Sequence, residues 1–197
     1  MVKIVALDVA ILPPPDVMSR AIAYSAALPA EGSQGLRLDG EHLPHITLTQ
    51  QFVRHEELDI VFSRIEDVLE GRAPLRIRIT GGGQSGHTLW LTAERTPELL
   101  DLHQQLMDAL RGLERPHGGK QAFYEETGRV GDVLWVSSFR LESSFGAFTP
   151  HITLGHGARA PEVEPFAFDA TTIAACHLGR YCTCRKVLRS WELKRPA

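Results

Sequence analysis

The pentapeptide Pro-His-Ile-Thr-Leu occurs twice in this chain, at residues 44–48 and again at residues 150–154, a little over half the chain apart. Its residue types make chemical sense on an extended strand, where successive side chains point to opposite faces. Ile46 and Leu48 then enter a hydrophobic layer, while His45 and Thr47 stand side by side on the other face. His151 and Thr153 do the same in the second copy. Repetition at half-length suggests two similar lobes rather than a solenoid, whose periods are shorter. Packed about an approximate two-fold axis, the lobes bring two imidazoles and two hydroxyls to one cleft.

Such a cleft suits a phosphodiester. One neutral imidazole takes a proton from the attacking oxygen and the other, protonated, gives one to the leaving oxygen. Histidine serves because its ordinary pKa of about 6.5 keeps both forms within reach near neutrality. The threonine hydroxyls can donate to the non-bridging oxygens, where negative charge must be held. Core packing alone would repeat Ile-x-Leu, but it gives no reason to repeat Pro, His and Thr. Zinc is the rival explanation for two histidines. The sequence offers no third ligand at helical spacing, such as His-Glu-x-x-His, so neither a metal nor another cofactor is expected.

The elements that must position these residues read as follows. Strands are predicted over residues 3–12, 36–38, 45–53, 75–80, 87–92, 133–140 and 148–154, with a closing antiparallel pair over 166–178 and 186–193. Helices are predicted over residues 17–28, capped by Asp16, over 56–70, and from Pro97 to about Leu113, capped by Thr96. Gly81 to Gly86 reads as a hairpin turn, and residues 114–130 fit no element. The mixture makes this an α+β chain. No linker divides it, so residues 1–197 are expected to form one bilobal domain.

The bulk properties narrow the partners. A formal net charge of −3 over 197 residues argues against gripping a long duplex, which needs concentrated Lys and Arg. It leaves room for a nucleotide or an RNA end. No run approaches the roughly 18 apolar residues of a membrane span. Cys176, Cys182 and Cys184 form no disulfide framework and read as free thiols, so a cytoplasmic, monomeric protein without membrane contact is expected.

Secondary candidates are weaker. His156 and His42 lie near the motifs, and a ligand contact is plausible for each, more so for His156. His87 and His103 are lone histidines, read as structural or surface residues. Phe52 is slightly favoured over Trp90, Trp135, Phe139 and Tyr124 as a platform for a base. Arg37 and Arg140 could approach a phosphate, against a default surface role. The Gly81–Gly86 loop lacks the Gly-Lys-Ser/Thr ending of a phosphate-binding loop, and the cysteines match no zinc spacing.

The doubled His-x-Thr-Leu resembles the two-histidine (2H) phosphoesterase superfamily. That group includes bacterial RNA 2′,3′-cyclic phosphodiesterases, also called 2′-5′ RNA ligases, and eukaryotic cyclic nucleotide phosphodiesterases. The resemblance extends to Leu89-Trp90-Leu91 before a helix and to Phe148-Thr149 before the second motif. It implies two α/β lobes with antiparallel sheets around a central cleft. It implies opening of a 2′,3′-cyclic phosphate to a 2′-phosphate, or related work on 2′-5′ linkages, by His45 and His151, with Thr47 and Thr153 on the phosphate. A non-catalytic module that binds a nucleotide or RNA end is the alternative, although simple binding would favour fixed charges over histidines. Bacterial members often carry an arginine five positions after the second histidine, and here His156 stands there.

Overall fold

The computed structural model describes residues 2–31, 33 and 35–194. Its strands are β1 (Ile4–Leu12), β2 (Ile46–Arg54), β3 (Leu75–Ser85), β4 (Thr88–Ala93), β5 (His151–His156), β6 (Phe166–Ala170), β7 (Thr172–Leu178) and β8 (Cys184–Glu192). Its helices are α1 (Pro15–Ala27), α2 (Leu58–Leu69), α3 (Pro97–Leu110) and α4 (Val130–Glu142). The strands form two four-stranded sheets, in the orders β2-β1-β7-β8 and β5-β4-β3-β6, and every pairing is antiparallel. Each copy of the pentapeptide therefore runs along an edge strand, β2 in one sheet and β5 in the other. This is the expected α+β architecture of two lobes with antiparallel sheets.

Local chemistry accounts for most elements. β1 is buried along nearly its whole length, as a near-continuous apolar run should be. α2 buries Val61, Phe62, Ile65 and Leu69, a stripe at helical spacing. Pro97 opens α3, and the Thr96 hydroxyl accepts a hydrogen bond from the Leu99 amide at 3.3 Å. The main core unites both sheets with α1, α2 and α3, and it includes Ile46, Leu48, Ile152 and Leu154, all fully buried. Burial of each such side chain contributes about 1.5–3 kcal/mol. A smaller core lies around Phe52, Phe123, Val136, Cys176 and Cys184.

Five sequence expectations need correction. Residues 133–140, expected as a strand, belong to helix α4. The Asp132 carboxylate accepts from the Arg129 amide at 2.9 Å and so closes the first turn, and Asp132, Val136 and Phe139 form the buried stripe. Residues 166–178, expected as one strand, divide at Thr171 into β6 and β7, which lie in different sheets. Asp16 makes no cap; Pro14 is the cap residue, Pro15 starts α1, and Asp16 sits in the first turn facing the helix dipole. Residues 36–38 form only a single bridge, Arg37 with Gly155. The glycine run 81–85 is paired strand, and the turn is Gly86-His87, where Gly86 takes φ of 55°.

Candidate active site

Both motif histidines are held in the same way. The Nδ1 of His45 lies 2.7 Å from the carbonyl oxygen of Leu43, and the Nδ1 of His151 lies 2.7 Å from that of Thr149. A carbonyl oxygen only accepts, so Nδ1 carries the proton in both rings and Nε2 is left to the cleft. The repeated proline belongs to this device. Leu43 and Thr149 each precede a proline, which restricts them to extended backbone. The imidazole two residues on then reaches back to a carbonyl whose position is set.

The two strands also share a β-bulge. Val9 pairs with Thr49 and Ala10 with Thr47, which leaves Leu48 as the extra residue. Leu89 pairs with Gly155 and Trp90 with Thr153, which leaves Leu154 as the extra residue. The pseudo-symmetry is thus carried to the level of individual residues, and it shows where the lobes differ. Asp8 pairs with Gln50 in the first sheet, and the equivalent pair in the second is Thr88 with His156.

Asp8 is fully buried. Its Oδ2 accepts hydrogen bonds from the Thr47 hydroxyl at 2.7 Å and from Gln50 Nε2 at 2.6 Å, and lies 3.7 Å from His45 Nε2. Its Oδ1 is buried without a partner. Burial pushes the Asp8 carboxyl up from its ordinary range, while the His45 charge and the Gln50 and Thr47 donors pull it back. The Thr47 hydroxyl proton is committed to Asp8, whereas the Thr153 hydroxyl lines the cleft with no hydrogen-bond partner among the described residues.

The cleft between the motifs has a volume of about 690 Å³, and His45, Thr47, His151, Thr153 and His156 all line it. That size suits a small organic ligand. His151 lies against Trp90, ring centroids 5.2 Å apart. Enclosure by the cleft walls, and then the charge of His45, lower the His151 pKa, against the Thr149 carbonyl, which raises it. His156 is lowered as well, by burial first and then by the charges of Arg129, Arg37 and His87. The half-exposed Trp135 and the nearby Phe139 add apolar wall.

The remaining sequence candidates divide sharply. Phe52 is not in the cleft: it is fully buried and meets Phe123 edge-on at 6.0 Å, because a strand lined by α4 has no free face there. Tyr124 packs on His177, and Arg140 pairs with Glu114. Arg37 donates to the carbonyls of Leu28, Pro29 and Leu36. His42 pairs with Asp39 at 2.8 Å. His103 is buried and bonded to backbone at both ring nitrogens. All three cysteines are free, and Cys182 reaches the cleft.

Asp8, Gln50, Arg129 and Tyr181 were not singled out by sequence. Arg129 precedes α4 in the segment that fitted no element, pairs with Asp132 at 2.6 Å, and lies 3.7 Å over the Tyr181 ring. Tyr181 and Cys182 hold positive φ of 62° and 53°, a costly conformation for such residues and one that concentrates at ligand sites. Asp8, His45 and Cys184 place one donor atom each within 4.8 Å of one another. Burial raises the Cys184 thiol well above its ordinary value.

The family profile of the 2′-5′ RNA ligase superfamily matches residues 14–176, most of the chain. The chain belongs to that superfamily of 2H phosphoesterases. No curated protein matches it at a significant level. Among solved structures it is similar to TT0787 of Thermus thermophilus, with 21% identity and a TM-score of 0.62 over 98% of this chain and 100% of that one. It is similar to apo LigT of E. coli, with 19% identity and a TM-score of 0.64 over 98% of this chain and 99% of that one. LigT bound to 3′-AMP gives 19% identity and a TM-score of 0.63 over 98% and 99% of the two chains. The shared fold is the two-lobed α+β arrangement. Membership supports a phosphoesterase- or ligase-type enzyme. Among the described residues no helix is long and apolar enough to cross a membrane.

Proposed function

We propose that this protein hydrolyses 2′,3′-cyclic phosphates on nucleotides or RNA ends to 2′-phosphates, using His45 and His151 and no metal. One observation carries the reading: two histidines with matching Nδ1-to-carbonyl bonds turn their Nε2 atoms into one cleft. Water attacks phosphorus as one Nε2 takes its proton, the bond to the 3′-oxygen breaks, and the other Nε2 protonates that oxygen. Thr153 donates to a non-bridging oxygen. His156 and Arg129 line the same cleft, with the Arg129 charge offset by its pairing with Asp132. The cleft volume and the nucleotide complexes of LigT, with 3′-AMP, ATP and NADP⁺, support a nucleotide-sized ligand. Both histidines come from one chain, so a single bilobal monomer holds the complete pair, and its free thiols fit the cytoplasm.

Incubation with the four 2′,3′-cyclic nucleotides, followed by phosphorus NMR, tests this. Release of 2′-phosphates is expected, unchanged by EDTA, and reduced by roughly 10²–10⁴-fold in His45→Ala and in His151→Ala. Near-normal turnover in both variants would refute the mechanism. Turnover of 2′-5′ dinucleotides alone would move the assignment to 2′-5′ linkages.

A further inference from the structure

We propose that Asp8, His45 and Cys184 form an inhibitory site for a borderline-soft divalent metal ion of the Zn²⁺ class, which takes the catalytic Nε2 of His45. Binding stands on the donor geometry; the loss of turnover rests on the phosphoesterase reading above.

The three donors come from β1, the residue before β2 and the first residue of β8, so no sequence spacing announces them. One carboxylate oxygen of Asp8, one ring nitrogen of His45 and Cys184 Sγ lie within 4.8 Å of one another. Zinc bonds of about 2.0–2.3 Å put donors roughly 3–4 Å apart, so side-chain shifts of about an ångström close the site. The groups that orient the ligands are already in place. The Leu43 carbonyl occupies His45 Nδ1 and leaves Nε2 as the ligand atom. Thr47 and Gln50 donate to Asp8 Oδ2 at 2.7 and 2.6 Å. Trp135 Nε1 donates to Gln50 Oε1 at 2.9 Å, which fixes the orientation of that amide. Asp8 Oδ1 is then spare: it belongs to a fully buried residue and has no partner among the described residues. A buried acceptor left alone in this way is rare and points to a ligand.

Charge and access agree with this occupant. Imidazole and thiol donors select Zn²⁺ over Mg²⁺ or Ca²⁺, which require oxygen ligands. One divalent ion with one carboxylate and one thiolate leaves no net charge in the buried pocket. The titratable neighbours of Asp8 and Cys184 are His45, Cys176 and Cys182, with no lysine or arginine among them. The ion enters from the cleft, whose wall includes His45, Thr47 and Gln50. In the binding step Zn²⁺ bonds to His45 Nε2, an Asp8 oxygen and Cys184 Sγ. The thiol proton, with any proton on Asp8, passes to solvent, and no electron moves. The fourth position of the tetrahedron is left to water from the cleft. His45 Nε2 can then neither give nor take a proton. The second lobe has no matching site, because Thr88 and His156 stand where the first has Asp8 and Gln50.

Titration of the full, metal-free chain with Cd²⁺, a spectroscopic stand-in for zinc, tests the site through its ultraviolet thiolate-to-metal band. One equivalent is expected to bind and to be displaced by Zn²⁺. Cys184→Ser abolishes the band. His45→Ala weakens Zn²⁺ binding by more than about 100-fold, beyond the ~10–100-fold cost of losing a group that only orients a ligand. Cys182, whose thiol donates to the Asp132 carbonyl, is not a ligand, so folded Cys182→Ser keeps the band. His45→Ala, at the cleft wall, serves if Cys184→Ser fails to fold. A band that survives Cys184→Ser, a band lost in Cys182→Ser, or an unchanged Zn²⁺ affinity in His45→Ala would overturn the site. Zn²⁺ should also inhibit hydrolysis of 2′,3′-cyclic nucleotides along the same saturation curve, and full activity of the loaded protein would overturn the inhibition. Because the metal titration needs no substrate, lack of activity on cyclic phosphates counts against the proposed reaction alone.

Discussion

Replacing His103 by alanine should destabilise the protein far more than a lone helical histidine would suggest. In the fold, His103 Nδ1 donates to the Leu48 carbonyl at 2.6 Å, and Nε2 accepts from the Phe145 amide at 2.8 Å. Its ring stacks on Phe148 with centroids 4.0 Å apart. It thus ties the first motif strand to the turn that leads into the second. Truncation leaves two backbone groups without partners, at roughly 1–3 kcal/mol each, and a void under Phe148; together these cost about 3–6 kcal/mol. That is a large share of a typical stability of about 5–15 kcal/mol. The bridge also has a pH signature. Burial is the main cause that lowers the His103 pKa from 6.5, helped by the charges of Arg95 and Arg140 and opposed by the Leu48 carbonyl. The fold holds the neutral ring, so its stabilisation is present above about 6.5 and is lost as pH falls through the depressed value. Urea unfolding of wild type and His103→Ala should therefore differ most near about pH 7.5 and converge on acidification. A loss under about 1 kcal/mol at that pH, or a gap that widens toward acid, would refute the bridge.

Four further outcomes follow from the same contacts. Ser25→Ala removes a hydroxyl that donates to the Leu154 carbonyl at 2.6 Å and accepts from the Leu38 amide at 3.0 Å, and calorimetry should show Tm lower by about 5–15 °C. The acid limb of kcat/KM should lie below the ordinary histidine value of 6.5, because His151 must be neutral to accept and its pKa is lowered; a midpoint above that value counts against His151 as base. The Asp8 carboxyl is raised from 3.8 in the fold, so ionising it costs stability, and wild type should lose ground to Asp8→Asn in thermal unfolding as pH rises from there. Thr153→Val should lower kcat/KM by roughly 10–100-fold through loss of one donor to the phosphate, and an unchanged value would remove Thr153 from the site.

The motif strands were legible because their pattern is local. Ile46 and Leu48 alternate with His45 and Thr47, and one face of each strand does enter the core. The failures arose where distant context overrides local preference. Val133, Val136 and Phe139 are strand-favouring residues, yet they also fall three apart, and the Asp132 cap decides for a helix. That helix then covers the strand bearing Phe52, and a residue read as a stacking platform becomes core. Thr171 carries neither glycine nor proline to mark the crossing between sheets. Asp8 was invisible for a different reason. A lone acid in an apolar strand acquires meaning only from Gln50, Thr47 and Trp135, which lie 42, 39 and 127 positions away. Its value depends on strand register, which no local pattern encodes.

The strand order has a consequence for how the chain comes to be folded during synthesis. β1, made first, lies between β2 and β7, so one flank of its sheet stays unpaired until residues 172–178 exist. The other sheet draws all its strands from residues 75–170 and can close earlier. A ribosome-bound chain halted near Ala170 would thus present a buried-type strand, β1, with an open flank, a hazard for pairing with other chains. The carboxylate beside His45 would thus sit on a strand whose sheet is completed only when β7 docks on its open flank.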